Sequence, residues 1–257
     1  MTDVLVLCYH AVSARWDSSI SITPERLEEQ LLFLTRKGYR GATFYDAVTA
    51  RPNRRNLVVT FDDAFLSVFD IAFPILSRLG LPGTLFVPTR RIGNDGPMSW
   101  EGIDSWIGTS HESELVGMSW EQVERLASAG WEIGSHTRSH RHLTALNDEH
   151  LEQELRGSRE DCEERLGRPC HSVAYPFGDV DDRVARATRS AGYSVAGSIE
   201  PVALYPPAAL NWPRVGVYFG TDWRRFRRSV SPSWRRLRNS WLWPSLDRLR
   251  RKVRRKF

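Results

Sequence analysis

The chain has 257 residues, of which 41% are hydrophobic and 26% charged, the balance of a soluble globular protein large enough for one sizeable core. No stretch approaches the roughly 20 apolar residues of a membrane-spanning helix, and Cys8, Cys162 and Cys170 form no pair with metal-ligand spacing. The formal net charge of +5 hides a division: residues 223–257 hold 14 Lys and Arg against one Asp, which leaves 22 basic and 30 acidic residues before them, an acidic body with a strongly basic end.

In chain order, residues 4–9 read as a first strand that ends at His10. Thr23-Pro24-Glu25 is a helix start, with Thr23 as the cap, Leu27, Leu31 and Leu34 on the apolar face, and Gly38 as the stop. Residues 39–45 suggest a second strand and residues 57–61 a third. Residues 65–79 have helical periodicity and end at Gly80, and residues 83–87 form the next strand. Residues 90–117 lack a period and contain five glycines and two tryptophans, which reads as a long loop over one face of the fold. Then come a helix over 120–129, a strand ending at His136, a helix over 147–166, a strand at 172–175, a helix over 181–191, a strand at 193–197 and a last strand at 214–217. Strands alternating with helices argue for an α/β fold with a parallel sheet, closed as a barrel.

Two strand ends carry the chemistry. Residues 57–63 run Leu-Val-Val-Thr-Phe-Asp-Asp, a buried strand that ends in two acids. Carboxylates at the end of such a strand need a cation or a solvated pocket. About seventy residues on, a second strand ends in His136-Thr137-Arg138-Ser139-His140, two histidines at a spacing that fits one side of a helical turn. One carboxylate and two imidazoles make a common metal shell with open positions for water and substrate. An Asp-Asp capping turn and a chance surface pair of histidines are the plainer readings of each motif alone; together they favour a metal site.

Thr60-Phe61-Asp62-Asp63, His136-Thr137-Arg138-Ser139-His140 and Tyr175-Pro176-Phe177-Gly178 resemble the successive motifs of the polysaccharide deacetylase family, the NodB homology domain or carbohydrate esterase family four. Leu7-Cys8-Tyr9-His10 and Trp212-Pro213-Arg214-Val215-Gly216-Val217 resemble further segments of it, so that the likeness covers residues 4–217 and leaves the rest aside. The resemblance implies an irregular (β/α)7 barrel, assigned to residues 1–221; the basic helical tail over 222–257 lies outside it and is read from its own charge and spacing. It implies a divalent metal, zinc with cobalt or nickel as substitutes, held by Asp63, His136 and His140. Asp62 would be the base, and the Phe177 N–H in the turn after Tyr175 would stabilise the oxyanion. Two departures stand out. Many members donate the leaving-group proton from a late histidine, but no histidine follows His171; His10 matches the branch with an early Tyr-His, and His142 and His171 are weaker candidates. Where many members pair the base with an arginine near the third motif, this chain has Ala174, and Arg214 is the expected replacement.

The tail places Trp234, Leu237 and Trp241, then Leu246, Leu249 and Val253 after Pro244, at helical spacing among arginines. This suits two short amphipathic helices on an anionic membrane surface, with a helix covering the acidic barrel as the alternative. No nucleic-acid-reading motif accompanies the charge. The expected function is removal of an N-acyl group, acetyl first, from an amino sugar in a polysaccharide or a lipid-linked glycan. The expected place is the cytoplasm or the inner face of the membrane. The rival is a non-catalytic, membrane-peripheral glycan-binding protein that keeps the fold.

Overall fold

The computed structural model describes residues 3–51, 54–199, 208–240 and 243. The chain runs β1 (Asp3–Tyr9), β2 (Ala11–Val12), β3 (Ser21–Ile22), α1 (Pro24–Arg36), β4 (Arg40–Gly41), α2 (Phe44–Thr49) and β5 (Arg55–Phe61). A π-helical turn (Val68–Ala72) leads into α3 (Phe73–Arg78), followed by β6 (Gly83–Val87), α4 (Trp120–Ser128), β7 (Glu132–Ser135), α5 (Asp148–Leu166) and β8 (Ser172–Ala174). The last elements are α6 (Asp182–Ser190), β9 (Val195–Ile199), β10 (Trp212–Gly216), α7 (Trp223–Ser229) and α8 (Pro232–Arg238). All pairings of the main sheet are parallel, in the order β1-β10-β9-β8-β7-β6-β5, and β1 pairs with β5 to close a seven-stranded barrel. The short β4 lies outside this ring along the lower half of β5. The fold is therefore the (β/α)7 barrel expected from the motifs.

Strand parity fixes what lies inside. Along β1 and β5, Leu5, Leu7, Tyr9, Leu57, Val59 and Phe61 join the outer core beneath the helices. Val6 and Val58 point inward with Phe86 and Ala174. The same parity carries Cys8 and His10 up the inside of β1, and Thr60 and Asp62 up the inside of β5. The lower opening is plugged by α2, whose Phe44 meets Phe86 edge-on at 5.6 Å.

That plug corrects one expectation. Residues 39–45 are not a strand beyond Arg40–Gly41, because Thr43 caps α2 by accepting the Asp46 N–H and the apolar Phe44 is wanted inside the barrel. The helix expected over 65–79 is present over 66–78, but it widens to a π-helix at Val68–Ala72, just before Pro74, which has no N–H to offer. The strand expected from Tyr193 begins at Val195. By contrast, α1 starts and stops where expected, with Thr23 accepting the Arg26 N–H at 3.3 Å.

The described part of the basic segment packs on the barrel. α7 buries Phe226 and sets Trp223 against Phe33 of α1, ring centroids 5.1 Å apart. Arg235 of α8 donates to Asp3 and to the Val4 carbonyl at the lower end of β1. Trp241, Leu246, Leu249 and Val253 lie outside the described residues.

Candidate metal centre and catalytic pocket

At the upper end of the barrel, a cavity of about 250 Å³ is lined by His10, Asp62, Asp63, His136, His140 and Tyr175, among others. β5 ends at Phe61, yet Asp62 stays in register, its N–H donating to the Tyr9 carbonyl at 3.0 Å. Asp63 then turns with φ +73°, and Ala64 follows at +56°. This turn lets two adjacent acids face one pocket, which a continuing strand forbids.

The histidine motif is not a turn of helix, contrary to the expectation from its spacing. Thr137 and His140 are both left-handed, with φ of +65° and +62°. The loop wraps instead around the buried carboxylate of Glu154 on α5, which accepts the N–H groups of Arg138 and Ser139 at 3.0 and 2.9 Å and the Ser139 hydroxyl. Ser135 Oγ accepts the Thr137 N–H, and Thr137 Oγ1 accepts that of His140. The two imidazoles meet through this loop, 4.9 Å apart by ring centroid.

Asp63, His136 and His140 present ligand atoms within 4.8 Å of one another. Both Nε2 atoms converge on Asp63 Oδ1, at 3.3 Å from His136 and 3.2 Å from His140, and that oxygen is buried without a hydrogen-bond partner. His136 Nδ1 lies 2.8 Å from the Ala174 carbonyl. Nδ1 therefore carries the proton, and Nε2 turns a lone pair toward a carboxylate. Lone pairs converging on a buried anion call for a cation between them, so the donor set fits a zinc-type ion. Burial works against the charged form of His136, yet Asp62 and Asp63 together raise its pKa. Burial dominates at His140 and lowers it.

Asp62 is held from below. Arg214 on β10 grips it with both arms, Nη1 to Oδ1 at 2.6 Å and Nη2 to Oδ2 at 2.8 Å, and Nη1 also reaches Thr60 Oγ1 at 3.1 Å. Arg214 is fully buried and lies over the Phe86 ring at 5.2 Å. It crosses the barrel where β9 has Gly197; a Cβ there would sit 2.7 Å from its Nε. Burial opposes ionisation of Asp62, but Arg214 and then His136 hold its pKa down to about 2. The carboxylate is thus charged at neutral pH.

His10 lines the pocket and stacks on Tyr218, ring centroids 6.5 Å apart. Its Nδ1 is buried with no partner. Tyr175 is buried, and its hydroxyl donates to the Leu210 carbonyl at 2.8 Å, fixing the turn above it. Phe177 in that turn is left-handed, φ +59°, and 44% exposed, with His142 stacked on it at 3.9 Å. His142 thus sits on the rim. His171 is stacked on Tyr45 of the plug helix at the opposite end. The loop over residues 90–117 lies over the mouth, where Trp100 stacks on His140 at 4.3 Å.

Sequence reasoning missed Cys8, Tyr218 and Glu154. The Cys8 thiol donates to Asp62 Oδ2 at 3.4 Å, and burial pushes its pKa well above the ordinary thiol value, so it is neutral. Its spacing of two from His10 on a strand was the available signal.

Comparison with known proteins gives the family. The family model described as polysaccharide deacetylase matches residues 49–196, more than half of the chain. YxkH of Bacillus subtilis, which carries the family's name, is 24% identical over 203 residues, covering 77% of this chain and 65% of its own length. The poly-β-1,6-N-acetyl-D-glucosamine N-deacetylase of Staphylococcus epidermidis is 22% identical over 204 residues, 73% of this chain and 64% of that protein. The chain therefore spans just under two thirds of the length of these curated relatives. Among solved structures, IcaB from Ammonifex degensii superposes with a TM-score of 0.71 at 23% identity, over 91% of this chain and 97% of that one. The Streptococcus pyogenes deacetylase PplD, solved with acetate, gives 0.73 at 18%, over 89% and 98%. These two likenesses show the shared fold, and with the family match over the core of the barrel they place this chain in the polysaccharide deacetylase family.

Proposed function

We propose that the chain is a metal-dependent hydrolase that removes an N-acyl group, acetyl first, from an amino sugar within a glycan chain. The observation that carries this is the coupling of two adjacent acids to different partners: Asp63 to two imidazole lone pairs, Asp62 to the buried Arg214. Asp63, His136 and His140 would hold the ion. When bound, such an ion supplies an acidified water and polarises the acyl carbonyl. Asp62, ionised and locked in orientation by Arg214, accepts the proton of the attacking water. His10, facing the same pocket with an unpartnered nitrogen, donates a proton to the leaving amine. The Phe177 N–H is the proposed donor to the oxyanion. The staphylococcal relative's named substrate supports a polymer of N-acetylated glucosamine.

The exposed Arg224, Arg225, Arg227, Arg228 and Arg236 on α7 and α8 support docking of the basic segment on an anionic membrane surface, at about 1 kcal/mol per basic residue near it. Because Arg235 seats α8 at the lower end of β1, that contact leaves the mouth of the barrel facing away from the surface.

The test is acetate release from β-1,6-linked N-acetylglucosamine oligomers by zinc-loaded protein. Activity is expected to vanish on chelation and return with zinc. Asp62→Asn is expected to lower turnover by roughly 10²–10⁴-fold while one equivalent of zinc still binds. Wild-type protein that binds zinc yet releases no acetate with zinc, cobalt or nickel would leave the glycan-binding reading in its place.

A further inference from the structure

A second group of metal-binding side chains lies beside the first and shares no residue with it. Cys8, His10 and Asp62 each offer a ligand atom, all within 4.8 Å of one another. Strand pairing brings them together. β1 and β5 run parallel with Cys8 level with Thr60 and Tyr9 level with Phe61, so the next positions set His10 beside Asp62. Alternation turns Cys8, His10 and Asp62 to the inside of the barrel, with Cys8 one step deeper. His10 and Asp62 line the catalytic cavity, and Cys8 is fully buried beneath them.

Distances decide what this group can hold. Cys8 Sγ and Asp62 Oδ2 are 3.4 Å apart. Zinc bonds of about 2.3 Å to sulfur and about 2.0 Å to oxygen, set at a tetrahedral angle, span about 3.5 Å. The same construction with nitrogen and oxygen gives about 3.3 Å, and the first trio shows it, with 3.3 and 3.2 Å between the imidazoles and Asp63. Sulfur and oxygen are therefore held at the bite of one tetrahedral ion. His10 completes the set with an unused ring nitrogen, since its Nδ1 is buried without a hydrogen-bond partner.

Charge narrows the occupant. A thiolate and the Asp62 carboxylate bring two negative charges to one dication. A carboxylate has about four lone-pair positions; Arg214 takes one on each oxygen and the Cys8 S–H takes a third. An ion entering from the cavity occupies the position that the S–H gives up. The thiol proton leaves to solvent, and Arg214 keeps its grip. Arg214 and an ion on Asp63 both repel a further cation, so this site is the weaker of the two and fills second. An ion that gains strongly from sulfur, such as zinc or cadmium, overcomes that repulsion; a hard cation such as magnesium does not.

We propose that Cys8, His10 and Asp62 form a second, inhibitory site for a thiophilic divalent cation. The site stands on its own geometry. Its inhibitory effect rests on the hydrolase reading, because the ion engages the proposed base and the proposed acid together. The probe is cadmium, added to the full chain already loaded with one equivalent of zinc. One further equivalent is expected to bind, with a sulfur-to-cadmium charge-transfer band in the ultraviolet, and acetate release is expected to fall as the band grows. Excess zinc should inhibit in the same way and magnesium should not. Cys8→Ser is expected to lose the band and to weaken the second equivalent by more than about tenfold, the cost of losing even an outer-shell partner of a metal. Its acetate release, relative to its own value with one zinc, should stay level at the cadmium concentration that silences the wild type; Cys8→Ala serves if serine is not tolerated, and Cys162→Ser on α5 keeps the wild-type response. A wild type that binds no second equivalent, or binds it without the sulfur band, overturns the site whatever the variants do, as does a band that persists in Cys8→Ser. Unchanged acetate release at band saturation overturns the inhibitory role. If the wild type releases no acetate in any state, the hydrolase reading fails instead, and stoichiometry and band alone decide the site.

Discussion

The two ends of the barrel are built under different rules. At the lower end, five helices turn back into the sheet, and each turn carries a glycine with positive φ: Gly38, Gly80, Gly130, Gly167 and Gly192. Left-handed backbone is placed where it is cheapest. At the upper end, every non-glycine residue with positive φ among the described residues belongs to a site motif or its neighbour: Asp63, Ala64, Thr137, His140 and Phe177. Each costs roughly 1–2 kcal/mol, and each sits where a motif turns toward the pocket. Where the backbone is strained without need of a fold-level turn, the strain marks chemistry.

The sharpest way to break this contrast is through the Arg214–Asp62 pair, the deepest part of the upper end. Arg214→Met would leave Asp62 buried without its guanidinium. Breaking a buried pair by removing one partner costs about 3–5 kcal/mol, read here as a lower urea midpoint of the chelated protein. Asp62→Asn should cost a similar amount by stranding Arg214. The double variant Asp62→Asn/Arg214→Met should recover most of the stability and none of the activity. Additive losses in the double variant would show that the pair is not a coupled unit.

Next in size are the turns themselves. A Cβ on Gly130 meets nothing within 4 Å and the residue has φ +89°, so Gly130→Ala tests the backbone alone. It should cost about 1–2 kcal/mol and leave acetate release unchanged at temperatures where the protein is folded. Thr137→Gly at the upper end should do the reverse. It relieves a left-handed threonine while losing the Oγ1 bond to the His140 N–H, so stability should move by less than about 1 kcal/mol while zinc affinity falls in chelator competition. Matching effects at the two ends would dissolve the distinction.

The same contrast explains what was legible beforehand. β1, β5 and β6 read clearly because strands buried on both faces in a parallel barrel are continuous apolar runs, and Gly38 and Gly80 announced their turns. The cluster of Asp63, His136 and His140 could be anticipated from residue types at strand ends and from the family resemblance. The geometry of the histidine loop could not, because it depends on Glu154, fourteen residues beyond His140, and helical spacing suggested a helix that the left-handed Thr137 and His140 forbid. Residues 39–45 misled for a related reason: Tyr39, Thr43 and Tyr45 suit a strand locally, but the need to plug the barrel with Phe44 decides the matter. Arg214 carries no local signal: its contact with Asp62 spans 152 residues, and only the Ala174 departure from the family pattern points to it.

The smallest effect concerns Glu132, where β7 begins at the lower end. Its carboxylate accepts the Tyr45 N–H at 2.8 Å and the Thr84 hydroxyl at 3.3 Å, and Ser172 also donates to it, which ties the plug helix to three strands. Burial outweighs these bonds and raises its pKa above the ordinary 4.5. The folded state therefore holds this proton more tightly than the unfolded chain. The contribution is full below about pH 4.5 and is lost as pH rises through the raised folded value. Urea midpoints measured upward from pH 4.5 should show that decline in the wild type and a flatter profile in Glu132→Gln, with acetate release unaffected by the substitution. An identical slope in the variant would assign the pH dependence to the upper end, where Asp62 and Asp63 raise the pKa of His136 against its burial, a shift of the same sign; Asp62, held down to about 2, loses its contribution only as pH falls toward that value.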